Sequence, residues 1–373
     1  MIEITDKTLC CGCTACASVC PHNCITMERD AEGFLYPHVD AELCIGCGAC
    51  EAVCPDLNRP KAAEPPTALA VRAKDDALRL FSSSGGVFSL LATDVLQQGG
   101  AVCGAVYDEN LMVRHALVWD EAGVEGMRGA KYVQSDLTDL FCQIRELLHN
   151  GTPVLFSGTP CQTAGLRAFL GGDHEKLLTA AVVCHGAPSP AVWEKNLHEL
   201  GPVADVRLRD KRDSWKHYAT NYYVDGREIF RPVMEDPYMK GFLRDLYNRP
   251  ACADCPAKGG GYADLTLGDF WGIEKILPEM DDDKGTSLVL VQTEKGKQAV
   301  AALHGRVESK AVPFADAVRY NPAVTHAAPA HPDRAEAMRR MQTEPLAAVV
   351  ADYTRVSGAE KLKSFARRLL GRR

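Results

Sequence analysis

Two runs of cysteine constrain this chain more than any other feature. Cys10, Cys13, Cys16, Cys20 and Pro21 form C-x2-C-x2-C-x3-C-P, and the pattern returns at Cys44, Cys47, Cys50, Cys54 and Pro55, each cysteine displaced by 34 positions. Ten of the 16 cysteines in the 373 residues lie between Cys10 and Cys54. The start, Met1-Ile2-Glu3-Ile4-Thr5-Asp6, lacks the charged and apolar blocks of a signal peptide. A cytoplasmic location is therefore expected, and a reducing compartment keeps dense thiols free for metal rather than disulfides.

The spacing is that of a bacterial two-cluster ferredoxin, in which the fourth cysteine of each run ligates the other cluster. One 4Fe-4S cluster is then expected on Cys10, Cys13, Cys16 and Cys54, and a second on Cys44, Cys47, Cys50 and Cys20. Three thiolates within seven residues can reach three corners of one cubane. The small residues between them (Gly12, Ala15, Gly46, Gly48, Ala49) let backbone amides approach the sulfides. A zinc ribbon would ask instead for two C-x2-C pairs. Residues Ile25 to Val39, alternating around Glu32-Gly33, suit a short hairpin joining the halves. Cys11 and Cys24 fall outside the register and are left as spare thiols.

At roughly 150 residues per domain, the length suggests two or three domains. A composition 46% hydrophobic and 24% charged supports a buried core. The net charge of -7 argues against nucleic acid as a partner. The longest apolar run, Leu177 to Cys184, is far short of the ~20 residues of a membrane span. Residues 1–57 read as the two-cluster ferredoxin-like domain and 58–67 as a Pro-rich linker. Residues 68–325 read as an α/β body and 326–373 as a C-terminal helical tail. In the body, strand-like segments (69–73, 101–107, 113–119, 154–156, 178–183) alternate with helical ones (86–98, 137–149, 162–170, 191–200). This predicts an α/β domain, α+β for the whole chain, with substantial parallel pairing in a mixed sheet. An antiparallel hairpin is expected around Asp225-Gly226. The basic end of the tail, Lys361 to Arg373, reads as a frayed terminal helix or a dock for an acidic partner.

Two places in the body repeat one design. Val154 to Cys161 and Ala181 to Gly186 each run from strand through a tight turn toward a helix. Each cysteine thus falls beyond the carboxyl end of a strand, where open α/β sheets deliver ligand sites. The nearby helix starts are expected to lower the thiol pKa of Cys161 and Cys184. Cys252-Ala253-Asp254-Cys255-Pro256 adds a C-x2-C pair on a Pro-flanked loop. Cys161, Cys184, Cys252 and Cys255 suffice for a third 4Fe-4S cluster. The alternatives are a nucleophilic Cys161, zinc at Cys252 and Cys255, or thiols that merely pack. Cys103 and Cys142 read as core. Ser82-Ser83-Ser84-Gly85-Gly86, Ser157-Gly158-Thr159 and Gly129-Ala130-Lys131-Tyr132 are turns that could hold a phosphate-bearing cofactor. No G-x-G-x-x-G occurs, so a dinucleotide would be held another way. His185 and Asp269 are weak catalytic candidates; the ordinary readings are a structural histidine and a turn cap.

These motifs together resemble the coenzyme F420 hydrogenase/dehydrogenase beta-subunit family. The likeness is carried by the cysteine runs, Ser-Ser-Gly-Gly at 83–86, Gly-Ala-Lys-Tyr-Val-Gln-Ser at 129–135 and Ser-Gly-Thr-Pro-Cys-Gln at 157–162. Cys-His-Gly at 184–186, Cys-x2-Cys at 252–255 and Leu-Gly-Asp-Phe-Trp-Gly at 267–272 complete it. The resemblance spans most of residues 1–295. It implies an FAD-binding α/β body with an iron–sulfur cluster of its own. Ser84, Gly85, Gly86, Lys131, Ser157, Gly158 and Thr159 become the expected flavin contacts, and Cys161, Cys184, Cys252 and Cys255 the cluster ligands. The chain departs from the pattern at Tyr262-Ala263-Asp264, where a basic residue is expected. The implied function is an oxidoreductase that passes electrons between one-electron carriers and a two-electron carrier through FAD. Ferredoxin or another redox protein and a small-molecule carrier are the expected partners, and a homo-oligomer is open. The rivals are a non-catalytic electron-transfer subunit of a larger complex and a thiol transferase or sensor built on Cys161.

Overall fold

The computed structural model describes residues 1–59, 64–259 and 261–354. The basic stretch 361–373 and part of the Pro-rich connector lie outside them. Among the described residues the strands are β1 (Ile25–Arg29), β2 (Leu35–Val39), β3 (Thr67–Ala73), β4 (Ala101–Tyr107), β5 (Val113–Val118), β6 (Val154–Gly158) and β7 (Leu177–Val182). They continue as β8 (Val203–Asp210), β9 (Ala219–Val224), β10 (Arg227–Pro232), β11 (Leu265–Asp269), β12 (Ser287–Val291) and β13 (Val307–Val312).

The cysteine repeat folds as a repeat. Each run enters a short helix that contains its third cysteine, Ala15–Val19 for Cys16 and Ala49–Ala52 for Cys50. β1 and β2 form the hairpin between them, with Ile25 opposite Val39. Asp30 sets its turn: its Oδ1 accepts from the amides of Glu32 and Phe34, both at 3.0 Å, the local bonding that makes aspartate a turn residue.

The body carries an eight-stranded sheet in the order β13-β3-β12-β11-β7-β6-β4-β5. Its middle is parallel, with β11, β7, β6 and β4 running together. β12, β3 and β13 on one side and β5 on the other are added antiparallel, so the sheet is mixed. The helices Val87–Gln97 and Pro160–Leu170 supply apolar residues to the cores flanking the sheet. This is why the central strands are nearly continuous apolar runs, as in Val154-Leu155-Phe156, all buried. A separate antiparallel sheet, β10-β9-β8, contains the expected hairpin at Asp225-Gly226.

That smaller sheet shares its core with the helices Pro190–Leu200, Pro237–Phe242, Arg334–Met341 and Leu346–Tyr353. The segment expected as a tail therefore packs into the body through residue 354. Ala337, Met338, Met341, Leu346, Val349 and Val350 are buried against Tyr238 and its neighbours. Side chains of the larger sizes here each contribute roughly 1.5–3 kcal/mol on burial, enough to hold the segment in place.

The cysteine module shares a core with the body. Cys11, Cys13 and Ala15 are buried in one cluster with Phe141, Phe156, Leu166 and Phe169. The helix Pro160–Leu170 comes so close that a Cβ at Gly165 would stand 2.8 Å from both Cβ and Sγ of Cys13. Glycine here permits the approach of the module to the body. Arg334 clamps the outer side, its guanidinium meeting both oxygens of Glu32 at 3.1 and 2.5 Å.

Candidate iron–sulfur and cofactor site

The module groups its thiols across the repeat. Cys16 lies within electrostatic reach of Cys10 and Cys54, and Cys13 of Cys16 and Cys10. Cys20 lines one small cavity with Cys44, Cys47 and Cys50. Burial pushes Cys16 up to about 12, so its thiol stays protonated until bound metal supplies the missing positive charge. Cys24, outside the register, places its sulfur 3.3 Å from that of Cys20.

Arg249 carries no motif, yet it joins the body to the first thiol group. It is buried, and its Nε donates to the Cys10 carbonyl at 2.6 Å while Nη2 reaches the Cys10 sulfur at 3.4 Å. The remaining donors go to the Leu35 carbonyl and to Gln134 Oε1, both at 2.9 Å. Its guanidinium lies over the rings of Tyr36 and Phe34 at 4.2 and 5.3 Å. A buried cation bonded to a ligand sulfur favours the thiolate and raises the potential of the metal it binds. Only its position three residues before Cys252 singles it out in the sequence.

The loops after β6, β7 and β11 converge at the carboxyl edge of the parallel strands. They enclose a cavity of about 330 Å3 that contains Cys161, Cys184, Cys252 and Cys255 on its wall. Cys184 lies within electrostatic reach of the other three. The supposed spare thiol Cys11 lines the same cavity and is a free thiol beside Cys161, placing the two thiol groups next to each other. The expectation of lowered thiol pKa values does not hold. Burial pushes Cys252 to about 12, Cys255 to about 11 and Cys184 higher. The thiol contact with Cys11 together with burial raises Cys161. Desolvation of the charged form outweighs a helix start. A free thiolate nucleophile is thereby disfavoured, whereas iron would provide the charge these sulfurs lack. Among the described residues no three His, Cys, Asp or Glu side chains converge on the point a single ion would occupy. A cubane needs a wider arrangement, one thiolate at each of its separate irons.

The hydroxyl-bearing turns face the same cavity. Ser84, Gly86, Lys131, Ser157, Gly158 and Thr159 all line it. Gly85 does not. Its amide donates to Ser287 Oγ at 2.9 Å, and a Cβ would meet the Val71 carbonyl at 2.4 Å, so its role is to seat the turn on the sheet. Under the turns runs a buried chain of polar groups. Gln162 Nε2 donates to Ser135 Oγ at 2.9 Å, and Ser135 Oγ meets His115 Nδ1 at 2.8 Å. His115 Nε2 then meets the Ser157 carbonyl at 3.0 Å. Burial lowers the His115 pKa to about 4, so the ring is neutral and donates from Nε2. The cavity is lined mainly by apolar surface with a few converging polar groups, the composition of a cofactor site.

The two weak catalytic candidates both line the cavity. His185 is at the cavity wall, with Nε2 2.8 Å from Asp245 Oδ1 and its ring edge-on to Phe242. Asp269 has both carboxylate oxygens engaged there: Oδ2 accepts from Arg209 at 2.5 Å and Oδ1 from Trp215 Nε1 at 2.9 Å. Asp264, in the stretch that departs from the family pattern, is fully buried. It accepts from the Thr179 amide and both the Thr179 and Thr293 hydroxyls, and pairs with Arg167 at 3.0 Å. It ties β7 to β11 rather than facing the cavity.

Residues 151–315 match the family model for the C-terminal region of the coenzyme F420 hydrogenase/dehydrogenase beta subunit. This region is similar to that family. Residues 9–57 match the 4Fe-4S dicluster domain, so the cysteine module is an iron–sulfur domain. Among solved structures, a chain from the F420-reducing [NiFe] hydrogenase complex of Methanosarcina barkeri is similar at 17% identity and a TM-score of 0.48. The similarity covers 67% of this chain and 84% of that one. No curated protein matches the chain. The two matches together support a role in redox electron transfer. Among the described residues no helix is long and apolar enough to cross a membrane.

Proposed function

We propose that this chain is an FAD- and iron–sulfur-dependent oxidoreductase that exchanges electrons between one-electron carriers and a two-electron carrier. The observation that carries the reading is one cavity lined by four body thiols and by the hydroxyl-bearing turns. A bound flavin accepts or donates a hydride on one side and single electrons on the other. Ser84, Lys131, Ser157 and Thr159 would hold it, and Cys161, Cys184, Cys252 and Cys255 would hold a third cluster. The module reaches this cavity through Cys11, so electrons entering from ferredoxin or another redox protein have a short route. His185, oriented by Asp245, would hold a proton at the cavity wall.

The test is the content of iron, acid-labile sulfide, zinc and flavin in protein purified without oxygen. About twelve irons and one FAD per chain are expected, falling to about eight irons in Cys161→Ser. A chain with about eight irons and no flavin after reconstitution is an electron-transfer subunit, and the proposal fails. Cys161→Ser that keeps its iron and loses all activity would instead make Cys161 a nucleophile.

A further inference from the structure

A second chamber, of about 440 Å3, adjoins the thiol-lined cavity. The two share a wall formed by Ser82, Arg128, Gly129, Ala130, Lys131 and Arg209. The far wall is the end of β8 together with the two residues after it, and it contributes Arg207, Lys211 and Arg212. The chamber thus gathers six cationic side chains against two carboxylates, Glu125 and Asp210. Both carboxylates are engaged: Asp210 holds Arg212 at 2.5 Å, and Glu125 stands 3.6 Å from Arg128.

Lys131 and Lys211 have no carboxylate within ion-pair distance among the described residues, and Arg209 keeps donors to spare. Lys211 donates to the Ser84 and Lys284 carbonyls, both at 2.7 Å. Lys131 donates to the Arg128 and Gly129 carbonyls at 3.2 and 3.4 Å. Arg209, only 9% exposed, meets Asp269 through Nη1 and leaves Nε and Nη2 without partners. Burial lowers Lys131 to about 8 and Lys211 to about 7, with Arg209 adding to the effect at Lys211, since desolvation disfavours the charged form. Crowding like charges in partial burial costs stability, and an incoming anion would recover it. At the mouth Leu80 and Phe81 are about half exposed, at 50% and 54%, with the Arg207 guanidinium 5.8 Å from the Phe81 ring. An apolar lip before a basic floor suits a ligand that is flat at one end and anionic at the other.

We propose that this chamber binds the phosphate-bearing tail of the two-electron carrier, leaving its ring at the wall shared with the redox cavity. The proposal rests on the redox reading above. Its chemistry, several cations around a multiply charged oxyanion, would equally serve the flavin's own pyrophosphate, and the test separates the two.

Holoprotein purified without oxygen is titrated with inorganic pyrophosphate by calorimetry, with iron and flavin content measured on the same sample. Arg207, exposed and paired with no carboxylate among the described residues, is the residue to change because its loss leaves packing intact. Wild-type protein should bind pyrophosphate, more weakly as salt is raised. Arg207→Gln should weaken binding about threefold and Arg207→Glu about tenfold or more, with iron and flavin unchanged. Wild-type protein that takes up no pyrophosphate, or an Arg207→Glu variant that binds as well as wild type, overturns the proposal while leaving the redox reading intact. Flavin lost from Arg207→Glu also overturns it, assigning the chamber to the flavin. Wild-type protein without flavin defeats the redox reading, and its pyrophosphate titration still decides whether the chamber binds anions.

Discussion

Arg249 shows what one residue does in this molecule. Its donors serve two carbonyls, a side-chain amide and a ligand sulfur at the junction of module and body. Arg249→Met keeps much of the stem but removes every donor and the charge. The buried Cys10 carbonyl and the half-buried Leu35 carbonyl would then lose their partner, at roughly 1–3 kcal/mol of stability. With the cation gone, the reduced cluster beside Cys10 is less well stabilised, so its midpoint potential should fall. A redox titration followed by electron paramagnetic resonance should show one cluster shifted downward and the other unmoved. Equal shifts in both, or none, would remove Arg249 from the control of potential.

At the level of elements, β5 and β6 are joined beneath the cofactor turns by His115. Its ring stacks on Phe156 at 5.6 Å and holds the Ser157 carbonyl at the end of β6. Burial keeps it neutral, with a folded pKa of about 4 against 6.5 when exposed. Between those values the unfolded chain binds a proton that the folded chain refuses. Stability is therefore lost as pH falls from 6.5 toward 4, by about 2 kcal/mol between pH 7 and 5. His115→Gln should be less stable at pH 7 and lack that part of the slope in denaturant titrations at the two pH values. A variant with the wild-type slope would show that His115 titrates normally. The element-level design is familiar from open α/β sheets: parallel strands end where the chemistry is, and short turns carry it.

For the whole molecule, the question is whether the iron–sulfur domain is an appendage or part of the fold. Cys11, Cys13 and Ala15 sit in a core with Phe141, Phe156 and Leu166, and the Glu32–Arg334 pair closes the far side with 21% and 14% side-chain exposure. A bidentate, partly buried pair should couple more strongly than an exposed one. A double-mutant cycle with Glu32→Gln and Arg334→Gln is expected to give about 1–2 kcal/mol of coupling energy. Additive variants would mean that the apolar core alone docks the domain. The same pair also ties the segment after residue 325 to the module, since Arg334 belongs to that segment.

The cysteine repeat, its hairpin and the alternation of strands and helices were legible in the sequence because each is local. Ligand spacing, period-two patterning and turn chemistry act over a few residues, and β4 emerges with the bounds 101–107 read from pattern alone. The convergence of Cys161, Cys184 and the Cys252–Cys255 loop could be guessed only by counting thiols. What only the tertiary structure decided is the company each group keeps. Cys11 stands beside the body thiol Cys161 at the cavity wall. Gly85 seats a turn instead of facing the cavity, Asp269 is taken by Arg209, and Arg209 with Lys211 builds a basic chamber. Burial and long-range pairing set these roles, and the pairings join residues 60 to 239 positions apart. Short-range pattern carries no record of such distances, so the amino-acid order announced the clusters and left their surroundings to packing.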